Sequence, residues 1–395
     1  MGQDNVTLRV GLLWHSLRAG NLGVGALTLA NMAIVRDVAN ELGVNVRFVV
    51  ISMREGFTES IAPDVEQFEI DTRSLLKPGG YARLLDRLDC VIDIGAGDSF
   101  ADIYGAKRFA FLWLSKFIAQ AKGKPLIFAP QTIGPFTKPA YKPFARKVMR
   151  NSAAVVARDR TSLQAVNDIA PGADAHLAVD VAFMLPFEDR SHQRRAGKTR
   201  VGINASGLLC DQAESGQNRF GLSYDYLALQ RRLIEHWQGE EGVEVHLITH
   251  ANSAGDKRDD DGHRADLLAK EFPGTVRVPN FAGPSEAKSY ISGLDFLVAG
   301  RMHACIGAFS SLTPVVPIAY SRKFAGLFDL LGYSWYTPVT GLDEDAAFAF
   351  VLDAFARRDT LRTDEQAGLA KVDALMDGYR DVVRREFGAL MPSTR

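Results

Sequence analysis

The sequence predicts an α/β protein built of two parallel-sheet domains with helices at its C-terminal end. Three observations carry that prediction. Short apolar runs alternate with helical stretches in two successive series, the pattern of strand–helix–strand units. A polar, charged segment around E-D-R-S-H-Q-R-R-A-G-K-T-R lacks apolar periodicity and separates the two series. After Trp335 the strand pattern stops, and only helical patterns remain, Glu344 to Phe355 and Asp364 to Phe387. The expected domains are therefore 1–189 and 201–343, joined by a linker at 190–200, with helices at 344–395 packing across the junction.

Bulk composition narrows the function classes. A chain of 395 residues exceeds what one hydrophobic core usually serves. A net charge of −1 supplies no general field for nucleic acid or anionic lipid, so any anion site is local and nucleic acid is not an expected partner. Cys90, Cys210 and Cys305 are far apart and lack metal-ligand spacing. They read as core filler in a reducing compartment. The N-terminus lacks a basic region followed by an apolar stretch. No apolar run is read as reaching the roughly 20 residues that span a bilayer. A cytoplasmic protein without an integral membrane segment is expected, and its oligomeric state is left open.

In the first series, Leu8 to Leu13 reads as a strand and a helix begins near Ala26. Gly20, Gly23 and Gly25 lie between them, where backbone can approach a ligand closely or helix can pack tightly on strand. The spacing is not that of a dinucleotide fingerprint. Val46 to Ile51 is the second strand. Cys90 to Ile94 is the third and runs into G-A-G-D-S-F-A-D. There Asp98 reads either as an acid, base or sugar-hydroxyl contact, or as a helix N-cap; Asp102 reads as a cap. Pro125 to Phe128 is a strand, after which Gln131 and Thr132 offer polar edges. Arg158 leaves the end of the strand Ala154 to Ala157, as an anion contact or as a partner of Asp159 or Asp180.

In the second series, Val201 to Asn204 is a strand, and Ala205 to Ser223 reads as a loop of the length used for lids and binding loops. Val243 to Ile248 is a strand ending at His250, which reads as a phosphate or proton contact or as a cap. Asp259, Asp260 and Asp261 read as a solvated turn that starts a helix. The densest stretch runs from Asp295 to Lys323. Phe296 to Ala299 is a buried strand, Gly300 breaks it, and Arg301 and His303 follow. Ala304 to Leu312 is a tightly packed helix, Val315 to Ala319 the next strand, and Lys323 lies past its end. Ligands of parallel sheets sit beyond the carboxyl ends of the strands. Arg301, His303 and Lys323 are thus expected to share one crevice with the positive end of a helix, a site for phosphate or carboxylate. The structural alternative pairs Arg301 and His303 with Asp295 or a carboxylate of the C-terminal helices.

Taken in order, N-L-G-V-G-A-L, I-G-A-G-D-S-F, A-P-Q-T-I-G-P-F, A-R-D-R-T-S, V-G-I-N, L-I-T-H and G-R-M-H-A followed by P-V-V-P-I-A-Y-S-R-K resemble the polysaccharide pyruvyl transferase family. The resemblance spans about Leu8 to Leu331, and the R-x-H element with its following lysine is its most specific part. Two positions depart from the family pattern. Val24 and Gly25 stand where many members have an acidic residue, and Thr249 where a proline is common.

The resemblance implies a GT-B-like fold, two Rossmann-like domains facing a cleft. It implies transfer of the pyruvyl group of phosphoenolpyruvate to two hydroxyls of a sugar, free or lipid-linked, with no cofactor or metal required. Arg301, His303, Lys323, Gly300 and His250 would bind the donor. His303, Arg158 and Asp98 would be catalytic; Asn21, Gly23, Asp98 and Gln131 would contact the acceptor. A nucleotide-sugar glycosyltransferase and a sugar-binding protein with a degenerate site are the rival readings.

Overall fold

The computed structural model describes residues 6–54, 59–97, 99–194, 197–253 and 255–391. The chain divides into two units: Met1–Arg18, Leu27–Met184 and Val372–Arg395 form the first, Ala19–Ala26 and Leu185–Lys371 the second. Two features of this division are not local in sequence. The first glycine-rich turn belongs to the second unit, and the last helix begins in the second unit and ends in the first.

The first unit contains strands β1 (Thr7–Leu13), β2 (Asn45–Ser52), β3 (Glu66–Glu69), β4 (Cys90–Asp93), β5 (Ser99–Phe100), β6 (Leu126–Ile133), β7 (Ala154–Ala157) and β8 (Ala175–Leu177). Its helices are most of α1 (Leu22–Glu41), then α2 (Thr72–Leu76), α3 (Tyr81–Asp86), α4 (Ala106–Ala121), α5 (Lys142–Arg150) and α6 (Arg160–Ile169). The sheet order is β3-β2-β1-β4-β6-β7-β8, with β5 beside β6. The second unit contains β9 (Thr199–Asn204), α7 (Gly207–Glu214), α8 (Tyr226–Gln238), β10 (Val243–Leu247), α9 (Asp261–Glu271), β11 (Val276–Arg277) and α10 (Pro284–Ser292). It continues with β12 (Phe296–Ala299), α11 (Met302–Ser310), β13 (Val315–Pro317), α12 (Arg322–Leu331), α13 (Glu344–Ala356) and the start of α14 (Arg358–Leu390). Its sheet order is β11-β10-β9-β12-β13.

Among the described residues every ladder in both sheets is parallel. Parallel strands are covered on both faces, which is why β4, β6, β7 and β12 are buried along their whole length. In each sheet the winding reverses once, between β1 and β4 and between β9 and β12. Such a reversal opens a crevice beyond the strand ends, the ordinary place for a ligand in this architecture.

Several expectations are corrected here. Residues 205–223 are not a continuous loop, because α7 occupies Gly207–Glu214. Strand β6 continues past Phe128 to Ile133, with a register shift between Phe128 and Gln131 that accommodates Pro130. Gln131 is therefore a strand residue. Helix α1 starts at Leu22 rather than near Ala26, since Asn21 Oδ1 accepts the Gly23 N–H at 2.9 Å and caps the end. Its 20 residues make it, by length and composition, long and apolar enough to cross a membrane, contrary to the expectation that no such run exists. Of its apolar window, 72% is buried inside the fold, as in a core helix.

The C-terminal helices are built into the two sheets by specific bonds. Glu344 of α13 pairs with Arg232 of α8 at 2.9 Å. Glu365 of α14 is buried in the second unit and accepts the Val315 N–H at 3.1 Å. In the first unit, Tyr379 donates to Asn31 Oδ1 at 2.7 Å, and Asn31 Nδ2 lies 2.9 Å from His15 Nε2. His15 Nδ1 is 3.1 Å from the Leu13 carbonyl, so the fully buried ring is held as the neutral tautomer with its proton on Nδ1.

Burial lowers the His15 pKa from 6.5 to about 3, against a raising contribution from the Leu13 carbonyl. The folded state thus favours the neutral ring. The corresponding stability is fully present above about pH 6.5 and is lost as pH falls from there towards about 3, by up to about 1.4 kcal/mol per pH unit. Urea midpoints measured between pH 7 and 5 should fall, and His15→Asn should flatten that part of the profile.

Candidate functional site

The crevice of the second unit is organised by one carboxylate. Asp261, the first residue of α9, is fully buried. It accepts hydrogen bonds from Asn204 Nδ2 (3.0 Å), the N–H groups of Gly207 (2.9 Å), His250 (3.0 Å) and Ala251 (3.1 Å), and Arg301 Nη2 (2.8 Å) and Nε (3.1 Å). These donors come from the end of β9, the start of α7, the segment after β10 and the turn after β12. Asn204 completes the tie, since its Oδ1 accepts the Arg301 N–H at 3.0 Å. The carboxyl ends of three neighbouring strands are thus joined through two side chains at the point where the winding reverses.

Electrostatics make the pair interdependent. Burial opposes ionisation of Asp261, but Arg301 and the hydrogen bonds hold its pKa below the usual carboxylate value. Burial likewise opposes the charge on Arg301, and Asp261 and Asp259 more than offset it, so its pKa is raised. Asp259 is half exposed where it meets Arg301, and Asp260 caps α9 through the His263 N–H. The acidic run is therefore not one solvated turn; its last member is the buried counterion. Asp295, one of the partners that the structural alternative offered for Arg301, accepts the Arg200 N–H at 2.9 Å.

The first glycine-rich turn lies against this pair. Asn21 forms an antiparallel bridge with Ala251, the Leu22 N–H bonds to the His250 carbonyl at 3.1 Å, and Asn252 bonds to Gly20 at 2.9 Å. At Gly23 a Cβ would sit 2.2 Å from His303 Nδ1, so any side chain there would have to displace the imidazole. His303 is half-buried in the first turn of α11, whose N-cap residue, Arg301, makes no side-chain capping bond. His250 is buried, and desolvation, followed by the nearby His303, lowers its pKa to about 3, so it is neutral near pH 7. A Cβ on Gly300 would meet the Tyr226 hydroxyl at 2.5 Å, so this glycine serves packing. Lys323 is half-buried in the first turn of α12, which follows β13, the neighbour of β12. The structure therefore gathers Asn21, Gly23, His250, Gly300, Arg301 and His303 in one unit. Asn21 and Gly23, expected on the acceptor side, sit on the unit that carries Arg301.

In the first unit, Gln131 is buried and its Nε2 donates to the Asp93 carbonyl (3.0 Å) and Oδ2 (2.9 Å). Asp93 also pairs with the fully buried Lys116 at 2.9 Å. Gly95 follows in the left-handed region, and a Cβ there would lie 2.4 Å from Gln131 Oε1. Arg158 is buried and paired with Asp180 at 2.7 Å, one of the two partners expected for it. Asp159 caps α6. Asp102 is not a cap. It accepts from the Thr137 and Lys138 N–H groups at 3.0 and 2.7 Å and fastens the loop after β6, while Gly105 stands at the N-cap of α4. Asp98 lies outside the described residues.

Sequence reasoning missed Asn204, Asp261 and Tyr226. The signal available for Asp261 was the presence of a strand-end arginine without a nearby counterion in a half that contains an acidic run.

A family model described as polysaccharide pyruvyl transferase matches residues 21–322, from Asn21 to the residue before Lys323. No curated protein matches the chain. Among solved structures, MurG of Acinetobacter baumannii is 12% identical with a TM-score of 0.52, covering 96% of this chain and 99% of that one. A UDP-N-acetylglucosamine 2-epimerase of Listeria monocytogenes, itself described as putative, gives 10% and 0.57, with 92% and 91% coverage. Anabaena HepE in complex with UDP-glucose gives 13% and 0.55, with 97% and 100% coverage. At such identities the likeness shows the fold alone, and the fold is GT-B, with two Rossmann-like α/β units.

Removing the charge of Asp261 leaves Arg301 buried without its partner. Asp261→Asn should destabilise the second unit by about 3–5 kcal/mol in denaturant unfolding. Asp259→Asn, at the half-exposed partner, should cost about 1 kcal/mol or less.

Proposed function

The chain belongs to the polysaccharide pyruvyl transferase family, and from that premise we propose that it transfers the pyruvyl group of phosphoenolpyruvate to two hydroxyls of one sugar. The product is a cyclic pyruvate ketal, and phosphate is released. A proton adds to the vinyl carbon, which becomes a methyl group, and the adjacent carbon becomes oxocarbenium-like. That carbon takes one sugar oxygen, loses phosphate and takes the second. Of the two hydroxyl protons, one balances the proton given to the methyl group and the other leaves with phosphate. The reaction is redox-neutral, and the proposal assigns it no cofactor or metal.

The observation that carries this reading is the placement of His303 in the first turn of α11, against Gly23 and next to the Asp261–Arg301 pair. A trianionic donor needs cationic and N–H partners and one group that delivers a proton. In this reading His303 is the acid, since His250, with its pKa at about 3, is a neutral imidazole near pH 7 and a poor proton donor. Arg301 Nη1 makes none of the hydrogen bonds among the described residues and is the edge assigned to the donor's carboxylate or phosphate. Lys323 and the start of α12 are assigned to the departing phosphate. Asn21 and Gly23 shape the donor pocket around His303.

Roles in the first unit belong to the same proposal. Asp98 is assigned as base or hydroxyl contact from the family resemblance. Gln131 holds the glycine turn that precedes it, through Asp93. Arg158, steadied by Asp180, is assigned as a further anion or catalytic contact. The acceptor is a sugar of a polysaccharide or glycoconjugate precursor, free or lipid-linked, modified in the cytoplasm or at the inner face of the membrane. The rival is a nucleotide-sugar glycosyltransferase, since HepE of the same fold holds UDP-glucose.

Calorimetric titration should show saturable phosphoenolpyruvate binding, with UDP-glucose and inorganic phosphate much weaker. UDP-glucose binding without phosphoenolpyruvate binding would select the rival. His303→Asn should keep donor binding within several-fold and abolish sugar-dependent phosphate release. Gly23→Ala, which drives a methyl group into the His303 ring, should lower that rate at least tenfold with the fold retained; an unchanged rate would remove His303 from the chemistry.

A further inference from the structure

One stretch of the first unit breaks the balance of charge that the whole chain keeps. Residues 103–158 contain eleven lysines and arginines and no aspartate or glutamate. Lys116, Lys122 and Arg158 pair with Asp93, Asp86 and Asp180. On α5, Lys142, Arg146 and Arg150 recur every four residues, with Lys147 beside them, and all four are exposed. A row of that spacing is about 12 Å long. Among the described residues none of the four pairs with a carboxylate. Arg146 is steadied by the Ile169 carbonyl, 2.7 Å from its Nε. Uncompensated positive charge on one face of a nearly neutral protein suits an anionic partner.

Arg150 ends the row and lines a cavity of about 710 Å³ that none of the roles above uses. The cavity lies at the amino ends of β6 and β7, since Lys124 and Pro125 precede β6 and residues 151–153 precede β7. Ligands of this architecture sit at the opposite, carboxyl ends, so this is a separate place. Phe117 supplies its apolar wall and ties it to α5. Lys147 Nζ lies 5.0 Å from the Phe117 ring centre, Trp113 stacks on that ring at 5.1 Å, and Phe144 meets Trp113 edge to face at 5.1 Å. Gln120, Asn151 and Ser152 add amide and hydroxyl groups, and Lys124 adds a second cation. Glu386, the carboxylate on the lining, pairs with Arg385 at 2.9 Å.

The chemistry selects among anions. Ala145, Val148 and Met149, the apolar side of α5, are buried, so the helix keeps no apolar face to insert into a bilayer. Trp113 and Phe117 cover one another and Lys147 stands over Phe117, which leaves little open ring face for the stacking that a nucleic-acid base needs. Amides and hydroxyls beside cations match a chain that carries both hydroxyls and carboxylates.

We propose that the row on α5 and the cavity at its end bind a carboxylated glycan chain, as a second site at the amino ends of the first unit's sheet. Lys142, Arg146, Lys147 and Arg150 take carboxylates, and Asn151 and Ser152 take sugar hydroxyls. The proposed reaction leaves one carboxylate on every ketal it makes, so a glycan modified once is the kind of chain this face retains. That last link rests on the proposed pyruvyl transfer; the binding itself does not.

The test uses the full chain and an oligogalacturonate, compared with its fully methyl-esterified form, a single-stranded oligonucleotide of equal charge and phosphatidylglycerol vesicles. The oligogalacturonate should bind at least tenfold more tightly than the ester, and more tightly than the oligonucleotide. Lys142→Glu and Arg150→Glu together should weaken it at least tenfold, with the melting temperature and phosphoenolpyruvate affinity retained. Equal binding of the ester, tighter binding of the oligonucleotide, attachment to vesicles without glycan binding, or indifference to the charge reversals would overturn the site. Glycan binding in a protein that ignores phosphoenolpyruvate would keep the site and remove its link to pyruvyl transfer.

Discussion

The buried Asp261–Arg301 pair is the constraint on which the second unit's crevice depends. Removing two charges from water costs several kcal/mol per ion, and only good geometry with further hydrogen bonds returns it. Asp261 obtains those bonds from Asn204, Gly207, His250 and Ala251. The pair therefore adds little stability over an apolar replacement, but it fixes where three strand ends lie. Arg301 is anchored as the N-cap of α11, and His303 follows in the first turn. The glycine turn from the beginning of the chain closes against the same segment through its bonds to His250 and Asn252. The histidine proposed as the acid is thus positioned by a carboxylate that need not touch substrate.

The first unit uses the same device with different residues. Asp93 at the end of β4 is paired with buried Lys116 and held by Gln131. The left-handed turn at Gly95 then leaves the strand against the Gln131 amide. Both networks sit where the sheet winding reverses, and each spends buried charge to hold a glycine-containing turn. Two of the buried histidines, His15 and His250, contribute in their neutral forms. His15 joins β1 to α1 and α14 through Asn31 and Tyr379, and His250 carries a backbone donor to Asp261.

What was legible in the sequence was local. The strand–turn–helix–strand pattern around Arg301 and His303 showed where a parallel sheet ends, and the structure has β12, α11 and β13 there. The pairing of Arg158 with Asp180 was among the options because both follow strands of the same half. What was hidden depends on contacts distant in the chain. Nothing in residues 19–26 reveals a bridge to Ala251, so their membership of the second unit could not be read from periodicity. Asp261 looked like one of three solvated acids because burial is a property of the fold and not of the run. Pro130 concealed the continuation of β6, which made Gln131 look like a loop residue.

The most direct measurement is the structure of the protein with phosphoenolpyruvate bound. The account predicts the donor at the first turn of α11, with its vinyl carbon within reach of His303, its phosphate towards Lys323, and Arg301 still bonded to Asp261. A donor bound elsewhere, or an Arg301 that leaves Asp261 to reach it, would contradict the claim that this buried pair builds the site.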